Sequence, residues 1–288
     1  MNLAWLSLSA FLGIFLTCSG TIQCAQAASI LLNTDSGDIG AADPFSGSFT
    51  PTFSGPAFSD IALSQAGNTV GVSADGQLYQ IKGSTATAIG SLGLSASVAV
   101  TGLGFDTQSR LYALGLDSQS QTGQVYQVDT RTGLAAPFVG GLPAGIYGDI
   151  VFDADRNHFF GVREAAGISP ASTLFSLSMA GLSKDIGSVG FSAVTGLAIS
   201  NGALYGYTRS GEQLLINRST GAGTFDLALS SLTGSDRQFS GAASAPIPLL
   251  SVPRSPSPVP EPSFLLAALA GGGLGALMRR YRRRSEPD

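Results

Sequence analysis

The chain has 288 residues, a formal net charge of −4, and only 12% charged residues against 44% hydrophobic ones and 38 glycines. Between Ala28 and Pro260 lie 10 basic and 16 acidic residues, a net charge near −6, so there is no basic stripe and nucleic acid is not a partner class. A single histidine, His158, excludes metal sites built from two or three imidazoles.

The amino-terminal segment Leu3–Leu16 is almost wholly apolar, and Ala25-Gln26-Ala27 has the small-x-small form of a signal cleavage site. Residues 1–27 are therefore expected to be a helical secretory signal, cut after Ala27. No Lys or Arg precedes the apolar run, which departs from the usual basic start. Fourteen residues are also short for a membrane span of about 20. The cut would remove Cys18 and Cys24, leaving no thiol and no disulfide.

Residues 28–245 repeat. Four segments align at Ile61, Leu103, Ile150 and Leu197, with spacings of 42, 47 and 47 residues. Each opens on a short apolar strand such as Leu103-Gly104-Phe105 and continues through a polar turn such as Asp106–Ser109. A second strand carries an aromatic residue, as in Leu111–Leu114, and a third follows, as in Gln124–Val128. A Thr-Gly turn then leads to a weaker fourth strand such as Ala136–Val139. A period of 40 to 50 residues made of short strands predicts an all-β fold of β-propeller blades. The two ends look like halves of a fifth blade. Ser29–Asn33 reads as its third strand, Phe49–Phe53 as its fourth and Phe239–Ala243 as its first, so the ring is expected to close on one blade split between the termini.

A Pro- and Ser-rich spacer, 246–259, follows the body, with seven prolines between Pro246 and Pro262. The tail, 260–284, begins at Pro260-Glu261-Pro262 after Val259. An uncharged apolar run of 16 residues, Ser263–Met278, comes next, then Arg279, Arg280, Arg282, Arg283 and Arg284. As a transmembrane helix the run reaches about 24 Å, short of a ~30 Å hydrocarbon core, and the arginines extend that reach by snorkelling. Arginines at one end alone place Asp288 on the cytoplasmic side.

Motif, apolar run and arginine cluster in this order resemble the PEP-CTERM sorting tail of bacterial exosortase substrates. The resemblance implies a Gram-negative exported protein. It would be anchored transiently in the inner membrane, processed by an exosortase at Val259–Pro262, and delivered to the cell surface or beyond, with a polysaccharide-associated, non-enzymatic role. The repeats also resemble the Gly-x-Leu-Tyr and Asp-x-x-Thr-Gly units of bacterial propeller proteins, which bears on fold alone. The other expectation is a secreted propeller enzyme, lactonase- or lyase-like, with carboxylates and Ca²⁺ at the central channel.

No catalytic set stands out. Asp153, Asp155 and Asn157, with Glu164 further on, match the oxygen-ligand spacing of a Ca²⁺ loop, but His158 stands where that loop needs glycine. The other reading is a hairpin turn whose Asp and Asn satisfy their own backbone. Apart from that loop, no cofactor is expected. The recurring Tyr79, Tyr112, Tyr126, Phe160, Phe175 and Tyr205 read as packing between blades. Gly102, Gly148, Gly196 and Gly241 read as tight turns before each first strand.

Overall fold

The computed structural model describes residues 30–165, 171–229 and 238–248. The signal segment with Ala25 and Ala27, the Val259–Pro262 motif and the arginine cluster lie outside them. Every regular element among the described residues is a β-strand, and none is a helix long and apolar enough to cross a membrane.

Nineteen strands form five four-stranded antiparallel sheets, the blades. The first joins β19 (Phe239–Ala243), β1 (Ile30–Thr34), β2 (Asp38–Ala42) and β3 (Phe49–Ser54). The second runs β4 (Asp60–Leu63), β5 (Thr69–Val72), β6 (Gln77–Lys82) and β7 (Thr85–Ser91). The third runs β8 (Val98–Phe105), β9 (Leu111–Asp117) and β10 (Thr122–Val128) into β11 (Ala135–Asp153). That 19-residue strand is also the first of the fourth blade, with β12 (His158–Ala165), β13 (Ser172–Ser178) and β14 (Ser183–Ser188). The fifth runs β15 (Val194–Ser200), β16 (Ala203–Thr208), β17 (Glu212–Ile216) and β18 (Gly223–Ala228). The inner strands β4, β8, the end of β11, β15 and β19 touch in sequence and close a ring.

The split blade exists, with Phe239–Ala243 as its first strand and Phe49–Ser54 as its fourth, as expected, but one strand sits a place away from expectation. Ile30–Thr34 pairs directly with β19 and is the second strand, not the third. Among the described residues the carboxyl-terminal side thus contributes β19 alone to this blade, and β1, β2 and β3 supply the rest.

There is no single core. Five apolar layers fill the five gaps between neighbouring blades. Alternation explains this: on β9, Leu111 and Ala113 face the second blade while Tyr112 and Leu114 face the fourth. Of the recurring aromatics, Tyr112, Phe160, Phe175 and Tyr205 are in these layers and Tyr79 packs against one, as expected, whereas Tyr126 is buried outside them. Tyr112 is fully buried, with its ring edge-on to Phe138 and Phe159 at 5.1 Å from each. Tyr112→Ala is expected to cost about 3–5 kcal/mol, read as a lower urea midpoint.

Candidate functional site

Four inner strands carry a β-bulge at one level. Register slips occur between Val100 and Gly102, Tyr147 and Ile150, Val194 and Gly196, and Gly241 and Phe239, the last opposite Asn33 and Thr34. A bulge leaves one residue out of the ladder and re-aims its side chain. The bulged residues Thr101, Gly148, Thr195 and Ser240, with Ser59 on the remaining blade, line a cavity of about 500 Å³ at the mouth of the central channel. Two hydroxyls there tie one blade to the next. Thr195 donates to the Phe239 carbonyl at 2.9 Å, and Ser240 to the Phe58 carbonyl at 3.2 Å. Thr101 Oγ1 has no partner.

Charged groups complete the cavity wall. Arg163 is 8% exposed and pairs with Asp185 at 2.5 Å. Glu164 accepts a hydrogen bond from the Ala193 amide at 2.5 Å, and Arg209 is exposed at the rim. Tyr147 donates to the Pro143 carbonyl, and burial pushes its hydroxyl up to about 12. Among the described residues lining the cavity there is no histidine, no thiol and no nucleophile held against a base. They offer hydrogen bonds and charge.

Directly beneath, the next residue of each inner strand is Asp60, Gly102, Asp149, Gly196 or Gly241. Both aspartates are 0% exposed. Five backbone amides, one from each blade, converge on them. Asp60 accepts from Leu103 (2.5 Å to Oδ2) and Ile61. Asp149 accepts from Leu197 (2.7 Å to Oδ2), Ile150 (2.5 Å to Oδ1) and Ala242. The carboxyls also hydrogen-bond each other, which requires a proton between them. Burial raises Asp149 to about 8, although Asp60's hydrogen bond opposes the shift. Asp60 is raised well above the usual range by burial, then by the Asp149 charge, then by their shared hydrogen bond. The pair thus holds a proton well above the usual aspartate range, while the converging amides favour the ionised form and oppose that shift.

The glycines at this level are not turns. None has a positive φ, and all lie inside strands. They are points of close approach: a Cβ on Gly241 would stand 1.8 Å from Asp60 Oδ1 and 2.7 Å from Asn33 Oδ1. Both oxygens are buried without a hydrogen-bond donor.

The Ca²⁺ loop is corrected by the fold. Asp153, Asp155 and Asn157 belong to the β11–β12 hairpin, whereas Glu164 is at the far end of β12, about 20 Å along the strand. Asp153 is saturated by the amides of Asp155 and Arg156 and by the guanidiniums of Arg156 and Arg218. Asn157 holds the left-handed turn position with φ 54°. Among the described residues no three metal-binding side chains cluster. The Asp60–Asp149 pair was missed, yet it had a signal. In the aligned repeats the residue before the first apolar position is either Asp or Gly, and an acid there interrupts an otherwise buried strand.

No protein-family model matches the chain, and no curated protein matches it. Solved structures match at a distance. Virginiamycin B lyase from Staphylococcus aureus has 11% identity, 73% coverage of each chain and a TM-score of 0.44. Myxococcus xanthus glutaminyl cyclase has 17% identity, 65% coverage of this chain and 70% of its own, and a TM-score of 0.42. A protein from Lactobacillus plantarum has 16% identity, 73% and 69% coverage, and a TM-score of 0.41. At these values the likenesses assign neither a family nor an activity.

Proposed function

We propose that this is an exported binding protein of a Gram-negative cell surface. Its ring of blades would be the binding head and its carboxyl-terminal residues an exosortase sorting signal. The observation that carries this reading is the ordered tail: Pro260-Glu261-Pro262, sixteen uncharged residues, then five arginines. A helix of that length with glycines at 271, 272, 273 and 275 makes a weak permanent anchor, which suits a segment meant to be processed. The small-x-small site ending at Ala27 supplies the entry to export. The channel-mouth cavity supports binding over catalysis, because its described walls carry hydroxyls and paired charges rather than an activated nucleophile. An association with exopolysaccharide follows from the resemblance of the tail alone.

A second reading, a propeller hydrolase or lyase acting at the channel, draws on the proton-sharing Asp60–Asp149 pair. That pair lies under the cavity floor with no exposed surface, and five amides occupy it. Substrate would have to displace the ring's own hydrogen bonds to reach it.

The test is the intact mass of the protein from its native cells, with membrane and extracellular fractions measured separately. A species running from Ala28 to near Pro260 is expected outside the cell. A mature species that still carries Arg279–Arg284 in every fraction would sink the sorting proposal and leave an ordinary anchored protein.

A further inference from the structure

The gaps between blades offer an internal comparison. The second and fourth blades have matching registers: Val70 pairs Gln80, which pairs Thr87, and Phe160 pairs Ser176, which pairs Lys184. The next blade's turn fits the same way at both places. A Cβ on Gly90 would meet the Thr132 carbonyl oxygen at 2.1 Å, and one on Gly187 would meet that of Thr220 at 2.1 Å. The two clefts can therefore be compared position by position.

In the cleft between the second and third blades, Asn68, Thr87 and Thr130 are neutral, and Arg131 is the one basic group on its wall. Their counterparts between the fourth and fifth blades are His158, Lys184 and Arg218, with Ser219 in place of Arg131. Arg156 joins them from the β11–β12 hairpin. One basic group has become four, counting the only histidine, in a body whose net charge is near −6. Such concentration against the overall charge is not needed for packing, since the other cleft closes without it.

One acid is shared between two of these groups. Asp153 Oδ2 is shared by Arg156 at 3.0 Å and Arg218 at 2.9 Å, one carboxylate between two guanidiniums. Asp185 pairs outward with Arg163. His158 adds a second kind of group. Its ring stands edge-on to Phe160 at 4.7 Å and hydrogen-bonds the Arg156 backbone, while Nε2 is buried with no partner. In the neutral ring that nitrogen is an acceptor and calls for an O–H or N–H donor. The cleft encloses about 250 Å³, room for one small molecule or one unit of a chain.

We propose that the cleft between the fourth and fifth blades binds a hydroxylated oxyanion, with Arg156, Lys184 and Arg218 holding the negative group and His158 Nε2 accepting a hydroxyl hydrogen. Lys184 is solvent-exposed and gives the ligand its way in. An acidic sugar has this chemistry, whether free or as one unit of a polymer. The assignment stands on the cleft alone and is independent of how the tail is processed.

The experiment uses the mature full-length chain in detergent, without a histidine tag, and two probes, sodium glucuronate and sodium sulfate. Calorimetry is expected to show saturable glucuronate binding with a Kd of about 1 mM or tighter. Sulfate, an oxyanion that carries no hydroxyl group, is expected to bind at least ~10-fold more weakly. Lys184→Met should weaken glucuronate at least ~10-fold, and Arg131→Met in the neutral cleft should change nothing. The single imidazole gives a direct reporter in the unaltered protein, because its ring proton resonances should move as glucuronate saturates. Absence of saturable binding by about 20 mM, unmoved imidazole signals, or equal affinity in Lys184→Met would overturn the site. Equal affinity for both probes would overturn the role given to His158 Nε2. If glucuronate binds, a glucuronate-containing oligosaccharide separates the sources. Tighter binding per unit means a polymer lies across the cleft, and lost binding means the free acid alone fits.

Discussion

Raising the pH from about 5 to about 9 is expected to lower the thermal midpoint by on the order of 10 °C. The sign follows from the axial pair. Unfolded aspartates titrate near 3.8, whereas folded Asp149 titrates at about 8. Below the unfolded value both states hold the proton and the ring is undisturbed. As pH rises the unfolded chain releases its proton first, and the stabilisation is lost progressively until the folded pair ionises. At about 1.4 kcal/mol per pH unit, the roughly three units from pH ~5 to the folded value of about 8 correspond to ~4 kcal/mol. Exposed Asp43, Asp75 and Asp129 and half-buried Asp117 have the opposite tendency, being held down by hydrogen bonds to hydroxyls and turn amides. Their contribution falls away only in acid, so the optimum should lie in the mildly acidic range.

Two substitutions that look equivalent should then behave oppositely. In Asp60→Asn the side-chain oxygen can keep the Leu103 amide. The new NH₂ would replace Oδ1, donating to Asp149 and reaching Asn33 Oδ1, which now lacks a donor. This variant should flatten the pH profile above about 5 and melt higher than the parent at pH ~9. Asp149→Asn sets an NH₂ against one of the amides of Leu197, Ile150 or Ala242, and should cost about 2–3 kcal/mol at every pH. Scanning calorimetry across the range decides both. A flat profile in the unaltered protein would mean that the pair carries no shared proton.

Gly241→Ala is expected to be among the most damaging single methyl additions in the domain. The new carbon would fall 1.8 Å from Asp60 Oδ1 and 2.7 Å from Asn33 Oδ1. Neither can retreat: Asp60 holds the Leu103 amide, and Asn33 Nδ2 donates to the Phe58 carbonyl at 2.9 Å and to Ser240 Oγ at 2.8 Å. β19 would be forced off β1 at the one place where the ring closes. A loss of at least about 4 kcal/mol is expected, enough to lower soluble yield or shift the urea midpoint strongly. Gly140→Ala is the control, because its added carbon meets nothing nearer than 3.9 Å and should stay within about ±0.5 kcal/mol.

Much of the fold was legible because blade repeats are local. Strand, turn and aromatic recur at Leu111–Leu114, Phe159–Val162 and Leu204–Tyr207, and side-chain alternation assigns each to the layers between blades. The split blade was legible only in outline. Ile30–Thr34 and a third strand both read as short apolar stretches before a turn, and only pairing with β19 separates them. The axial pair was harder still. Asp60 and Asp149 are 89 residues apart in number and meet only when the ring closes, so no local spacing announces them. The Ca²⁺ spacing erred for the converse reason. It assumed a compact loop, but β12 runs straight and carries Glu164 away from Asp153.

The closure of the first blade also has a mechanical side. β1 and β19 run antiparallel, with Leu31 opposite Ala243, so the chain enters and leaves this pair at the same end. Tension between the two termini would therefore open the pair like a zipper, one rung after another, rather than shear all rungs together. A pull of that kind would meet little resistance at the first rung, and each lost rung would bring the release of Gly241 from Asp60 nearer. The strand that completes the ring is thus also where force would undo it.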